Sequence, residues 1–239
     1  MKKKLDAYKG RLDPAQVADG MNAACKNSNR LAEDALILLQ MRRFPSAIAL
    51  AILAIEEAGK VSILRRLAVA ISDIEYSESW KDYRTHTSKN AMWAFPSLFA
   101  EGARKLSDFR SLFCQDAEHP YILDQLKQVA FYTDCLGRAH WSIPDEVIDE
   151  SLARNIVNTA KILAGSPNHT KEEIALWIEH MTPAFASKDL DFMKQSLLNW
   201  HRAMQTSGLT SDSTNRMESF MHEGSGLNRP LPTERTAAA

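Results

Sequence analysis

The sequence predicts an all-α protein: an antiparallel helical bundle with long central helices and a flexible carboxy-terminal tail. Three observations carry that expectation. From Ala47 to Ile55 nine apolar residues run without a break, and a helix that is apolar all round belongs at the centre of a bundle. Upstream, Val17, Met21, Ala24, Leu31, Ala35 and Leu38 recur at intervals of three, four or seven, the spacing of one helix face. No run alternates apolar and polar residues between hairpin turns, as half-buried strands do.

Taken in order, residues 1–13 form an extension, and residues 14–206 form the helical domain. Pro14 can open the first helix, which ends near Arg42 and Arg43, where cations suit the negative end of the helix dipole. Pro45 fits the first turn of the next, because its missing N–H is one that turn leaves unpaired anyway. Val61, Ile63, Leu64 and Leu67 carry this central helix to about Ala70. So little chain separates the two that they form an antiparallel hairpin. A third helix starts at Ser77 or Ser79 as N-cap and carries Trp80, Tyr83, His86, Lys89 and Trp93. Pro96 kinks or restarts it before a segment running to about Phe113.

After a loop at 115–120, a helix spans 121–136 and stops at Gly137. Ser142-Ile143-Pro144-Asp145-Glu146 is a helix start with acids in its first turn, and that helix runs to Gly165. Thr170-Lys171-Glu172-Glu173 has the spacing of a capping box and begins a helix to about Met181. Pro183 leads to a last helix over 190–205. From Ser207 to Ala239, Ser, Thr, Gly, Asn and Pro dominate, which predicts a mobile tail.

Composition narrows the function classes. The chain has 239 residues, 45% of them hydrophobic, enough for one well-cored domain. Its net charge of −1 gives no global field for drawing in nucleic acid. Residues 1–113 hold 18 Lys and Arg against 13 Asp and Glu, and residues 114–239 hold 11 against 17, so only the first half leans basic. Cys25, Cys114 and Cys135 are odd in number and scattered, as expected of reduced core thiols in a cytoplasmic protein. The basic amino terminus is followed by no apolar stretch of the signal-peptide kind. An apolar run of nine residues is far too short for a membrane span.

The informative tension lies at the end of the apolar run. Glu56, Glu57 and Lys60 follow it with no loop between, so charges sit mid-helix beside a core. Charged groups there need partners or cost several kcal/mol each, on the order of a buried ion's penalty. The bland alternative is that Glu56 and Lys60, four apart, make a surface pair worth about 0.2–0.5 kcal/mol while Glu57 faces solvent. Downstream, Asp82, His86, Lys89, Asn90 and Trp93 fall at spacings of three and four, hence on one face. If the two helices are neighbours, Glu56, Glu57, Lys60, His86 and Lys89 gather where acid–base chemistry becomes available.

These residues also carry a resemblance. Glu56-Glu57-Ala58-Gly59-Lys60 followed by His86-Thr87-Ser88-Lys89 resembles the Glu-Glu-x-Gly-Lys and His-x-x-Lys signatures of AbiV-type abortive infection proteins. Asn27 with Asp34-Ala35, the small-residue run from Ala47 to Ala51, Phe131-Tyr132-Thr133-Asp134, and Trp141-Ser142-Ile143-Pro144 fit the same ordered pattern, over about residues 20–165. The resemblance implies a HEPN-like bundle, commonly homodimeric, acting in anti-phage defence, in many cases as a metal-independent endoribonuclease. It implies RNA as substrate, a phage-encoded activator protein as a further partner, and no cofactor. Glu56, Glu57, Lys60, His86 and Lys89 are then the candidate catalytic residues, with Asn27, Tyr132, Asp134 and Arg138 as candidate substrate-binding residues. HEPN nucleases typically use Arg-x(4–6)-His, and here the sequence departs. Arg84 and His86 are too close, as are Arg138 and His140, and the one literal match is Arg216-x5-His222 in the expected tail. With 15 Arg and 7 His in the chain, chance alone gives about one such match.

Other chemistries find less support. Glu56, Glu57 and His86 offer ligands for a divalent cation, but no Glu has a His three residues on, and Lys60 and Lys89 would crowd the ion. There is no Gly-x-Ser-x-Gly, no cysteine beside a histidine, and no phosphate-cradling loop. Asp134 and Arg138, four apart, read as an ordinary helix pair. Two further readings stand beside the enzyme: a non-catalytic module that docks a phage or host component touching translation, and a charged network that merely locks the bundle.

Overall fold

The computed structural model describes residues 6–104, 106–113, 117–210 and 216–223. Helix α1 (Pro14–Gln40) opens on a capping box. Asp13 accepts the Gln16 N–H at 2.8 Å, and the Gln16 side chain accepts the Asp13 N–H at 3.0 Å. Arg42 adopts a left-handed conformation (φ 58°), and the chain passes at once into α2 (Phe44–Ala68), which has Pro45 in its first turn. The two helices are antiparallel neighbours. Val17 and Met21 meet Leu64 at one end, and Ser28 donates to the Ala54 carbonyl at 2.7 Å further along.

Most of the apolar run of α2 is fully buried: Ala47, Ile48, Ala49, Ala51, Ile52, Ala54 and Ile55 are all at most 1% exposed, and Leu50 and Leu53 are partly buried. Helices α1, α6 (His119–Phe131) and α8 (Glu150–Leu163) enclose it. The central position expected of this stretch is the one it takes. A second pair, α9 (Lys171–Ser187) and α10 (Leu190–Thr206), packs through Trp177, Met181, Trp200 and Met204 onto Val69 beyond the end of α2.

Several boundaries differ from expectation. Helix α3 (Asp73–Arg84) begins earlier, at an N-cap on Ser72 whose capping box is completed by Glu75. It also ends earlier. Thr85 turns extended (ψ 130°), its N–H and hydroxyl both returning to the Lys81 carbonyl, and a separate short helix α4 (His86–Lys89) follows. His86 and Lys89 therefore do not share a helix face with Asp82. Ser88 instead ties α4 back by donating to Asp82 at 3.1 Å. Pro96 sits in the first turn of α5 (Phe95–Ala100), and a 3-10 segment covers Leu106–Phe113.

The helix expected over 121–136 ends at Phe131. Beyond it, β1 (Asp134–Leu136) pairs antiparallel with β2 (His140–Ser142), Asp134 opposite Ser142 and Leu136 opposite His140. Gly137 (φ 54°) and Ala139 (φ 60°) form the turn, so the glycine closes a hairpin rather than a helix. After α7 (Pro144–Val147) the chain extends at Ile148, and Asp149 caps α8 by accepting the Leu152 N–H at 2.8 Å. Pro183 does not end α9, which continues to Ser187. Within the expected tail, residues 216–223 form α11 (Arg216–Glu223), joined to α10 by Arg202–Glu218 at 2.5 Å; residues 211–215 and 224–239 lie outside the described residues. Cys25 is buried, but Cys135 is exposed on the hairpin and is no core thiol; Cys114 lies outside the described residues. Among the described residues, no helix is long and apolar enough to cross a membrane.

Candidate active site

Where the apolar run of α2 gives way to charge, one position is glycine for a steric reason. A Cβ built on Gly59 would lie 2.0 Å from the Lys89 carbonyl oxygen, so only glycine lets α4 settle against α2. That approach puts His86 and Lys89, one helical turn apart, against Glu56. The Glu56 carboxylate is 3% exposed. Its Oε2 lies 2.6 Å from His86 Nδ1 and 3.5 Å from Lys89 Nζ. Its Oε1 accepts from Lys127 Nζ of α6 at 2.6 Å, and that ammonium also lies 2.8 Å from Asp124 Oδ1. A lone carboxylate this deep would be prohibitively costly; surrounded by basic groups, it becomes the hub that fastens α4 and α6 to α2.

The basic groups differ in their surroundings. Burial dominates at Lys89 and, aided by the nearby Lys60 charge, draws its pKa below the ordinary lysine value despite the opposing pull of Glu56. Burial also works against the Lys127 ammonium, but hydrogen bonds to Asp124 and Glu56 outweigh it and raise its pKa. His86 is the open member, with 57% of its side chain exposed. Its Nδ1 is engaged by Glu56, which leaves Nε2 as the nitrogen available to a substrate.

The bland alternative, a surface pair between Glu56 and Lys60, is not the arrangement formed. Glu56 turns inward, and Lys60 instead meets Glu57 at 2.6 Å, with both side chains under 20% exposed. Lys60 also lies over the Tyr83 ring, 5.1 Å from its centroid. The fields of Lys60 and Glu57 both reach Lys89, so the two pairs form one electrostatic unit. The five candidate catalytic residues are thus assembled on α2 and α4, although Glu57 reaches His86 only through its neighbours.

Sequence reasoning missed Lys127. The signal was present: Leu123, Lys127 and Ala130 are spaced as one buried helix face, and all three are buried. Asn90, fully buried, donates to the Pro120 carbonyl at 3.4 Å, and Trp93 donates to the His119 carbonyl at 2.7 Å. These bonds pin the end of α4 to the start of α6.

The candidate substrate-binding residues stand elsewhere. Asn27 is on α1, where its side-chain oxygen accepts from Arg30 at 2.9 Å, and Arg30 also pairs with Asp34. Tyr132, Asp134 and Arg138 are exposed on the hairpin and its approach. Asp134 and Arg138 are not a helix pair, because the segment is not helical; Asp134 accepts the Cys135 N–H at 2.7 Å. The side chains of Arg216 and His222 lie outside the described residues. Among the described residues, no group of three His, Cys, Asp or Glu side chains is placed to hold a metal ion.

A second charged cluster has no local sequence signal. Glu173 on α9 accepts from Arg65 at 2.5 Å and lies 3.0 Å from His169 Nδ1, while His169 Nε2 lies 4.0 Å from Cys25 Sγ. A cysteine therefore does stand beside a histidine, across 144 positions of sequence. Burial pushes the Cys25 thiol up, which keeps it protonated and makes it a poor nucleophile.

A family model described as AbiV, HEPN_AbiV, matches residues 16–165. No curated protein and no solved structure matches the chain. The matched span runs from the first turn of α1 through α8, and includes Glu56, His86, Lys89 and Lys127.

Proposed function

The chain belongs to the AbiV family, and from that premise we propose that it acts in anti-phage abortive infection as a HEPN-type, metal-independent endoribonuclease. One observation carries the reading: a buried carboxylate, Glu56, holds Nδ1 of a half-open imidazole, His86, at 2.6 Å. Such a partner fixes the ring's orientation and tautomer and leaves Nε2 free to exchange a proton with substrate.

In the proposed reaction the 2′-hydroxyl of RNA attacks the adjacent phosphorus. His86 removes the hydroxyl proton as the new P–O2′ bond forms. The P–O5′ bond breaks, the 5′-oxygen leaves with a proton, and the products are a 2′,3′-cyclic phosphate and a 5′-hydroxyl end. Glu57 either orients a cation, the Lys60 ammonium it meets at 2.6 Å, or serves as the second proton carrier, and Lys60 and Lys89 stabilise the charge that develops on the phosphorane oxygens. The active form is a homodimer in the cytoplasm, switched on by a phage-encoded protein. Incubating the full chain with total RNA in EDTA tests the reading, with the His86→Ala protein alongside. Discrete fragments from the wild type alone are expected. Equal cleavage by a folded His86→Ala protein would remove His86 from the mechanism.

A second reading is favoured by a different observation. Phe131, Tyr132, Leu136 and Trp141, at the end of α6 and on the hairpin that follows it, are each at least 45% exposed, as apolar side chains at a protein-binding face are. In that reading the chain is a non-catalytic module that docks a phage or host component touching translation. Toxicity then survives His86→Ala and is lost with Trp141→Asp, whereas the enzyme reading requires His86.

A further inference from the structure

We propose that the cleft between the amino-terminal segment and α3 is a track along which a single-stranded RNA backbone reaches His86; the identity of the ligand rests on the ribonuclease reading above. The cleft has a volume of about 560 Å³, with Lys9 and Arg11 on one side and Tyr76, Lys81, Arg84 and Thr85 on the other. It holds four cations against one acid, Asp73, in a chain whose net charge is −1. Thr85 lines the cleft, occupies the N-cap position of α4 and directly precedes His86 in the chain.

Three of the four cations are available, Arg84 being held by the Tyr8 and Trp80 carbonyls. Lys9 and Lys81 enter no ion pair among the described residues. Arg11 meets Asp73 at 3.4 Å with both side chains open to solvent (64% and 97%), and an exposed pair of this kind is readily exchanged for a phosphate. The walls are nonetheless built. Trp80 Nε1 donates to the Gly10 carbonyl at 2.9 Å, Arg84 donates to the Tyr8 carbonyl at 2.5 Å, and the Tyr8 hydroxyl donates to the Arg11 carbonyl at 2.8 Å. The amino-terminal segment is thereby held on α3, with Tyr8 packed edge-on against Trp80 yet 56% exposed. An open row of cations beside an exposed aromatic ring suits a chain of phosphates with an unstacked base, as single-stranded nucleic acid presents. An isolated small anion would leave most of the row unoccupied.

The test separates this track from the catalytic reading. Binding of a short labelled single-stranded RNA to the His86→Ala chain is followed by anisotropy across salt concentrations, and repeated after adding Lys9→Ala and Lys81→Ala. Removing two phosphate contacts should lower the slope of log affinity against log salt by about 1.4, at roughly 0.7 per contact for a single strand. With His86 intact, the two lysine substitutions should raise KM and leave kcat unchanged, and Lys→Arg at both positions should restore KM. Tight RNA binding whose slope the lysine substitutions do not change overturns the track and leaves the catalytic reading standing. Binding with the expected slope change but no cleavage supports the track and overturns catalysis. Failure of the His86→Ala chain to bind RNA, or displacement of RNA by polyglutamate at equal concentration, overturns the track and assigns the cleft to another occupant.

Discussion

Gly59 of α2 and the backbone of Lys89 are in direct contact, so close that a Cβ on Gly59 would stand 2.0 Å from the Lys89 carbonyl oxygen. The obstacle is backbone, not the end of a flexible side chain, so α4 itself must move to admit a methyl group. In an unobstructed helix interior, Gly→Ala stabilises by about 1 kcal/mol. Here overpacking costs about 1–3 kcal/mol and shifts His86 and Lys89 away from Glu56. Gly59→Ala should therefore lower the thermal midpoint and reduce RNA cleavage together. A Gly59→Ala protein more stable than wild type would show that α4 is loosely held.

The hub role of Glu56 predicts strong coupling with Lys127, whose ammonium it receives at 2.6 Å in a site where both side chains are under 10% exposed. Glu56→Gln leaves Lys89 and Lys127 buried without their shared counterion, and loss of one partner of a buried pair costs about 3–5 kcal/mol. Lys127→Met leaves Asp124 and Glu56 without that ammonium. Because the two changes disturb one network, urea denaturation should find them non-additive by about 0.5–3 kcal/mol, the double variant being more stable than the singles predict. Additive losses would mean that the contact contributes nothing of its own.

How far this site could be read in advance depends on the range of the forces involved. The charges after the apolar run of α2 stood out because burial and ionisation conflict within five residues, 56 to 60, and that conflict needs no tertiary knowledge. The His86–Lys89 spacing was legible as one turn, but not the break at Thr85 that gives α4 its own direction. Choosing between Glu56 and Glu57 as the partner of Lys60 was beyond local rules, because both spacings allow a pair and only the packing of α4 and α6 turns Glu56 inward. The hairpin escaped because three-residue strands have no periodicity to detect, and Gly137 suits a helix end as well as a turn. Cys25 and His169 meet only because α1 runs past the start of α9, which nothing near either residue announces.

His86 separates a catalytic role from a merely structural one. Its side chain is 57% exposed, and Glu56 keeps both Lys89 and Lys127 when the imidazole is gone. His86→Ala should cost about 1–2 kcal/mol in folding stability, because the lost hydrogen bond is part-buried but Glu56 keeps its two ammonium partners. Removal of a general acid–base group should slow cleavage by about 10²–10⁴-fold. Chemical denaturation and single-turnover cleavage on the same preparations check the split. A loss of several kcal/mol in stability, with cleavage proportional to the folded fraction, would make His86 a structural lock.

The Arg65–Glu173–His169 cluster predicts an acid-sensitive contact between α2 and α9. Burial opposes the Glu173 charge, but the His169 hydrogen bond and the Arg65 charge outweigh it and hold its pKa below the ordinary glutamate value of 4.5. Between the folded and unfolded pKa values the unfolded state binds more protons, so stability rises with pH through that window. The contribution is complete above about pH 4.5 and is lost as pH falls through the folded value. Glu173→Gln leaves Arg65, 21% exposed, without its carboxylate, and should cost about 3 kcal/mol at pH 7, the low end for a broken buried pair. The gap between wild type and Glu173→Gln should then narrow as pH drops below 4.5, because protonation removes from the wild type the same charge that the substitution removed. Urea midpoints of the two proteins from pH 7 down to pH 3 test this. A gap that stays constant across the range would show that the charge of Glu173 does not hold α9 to α2.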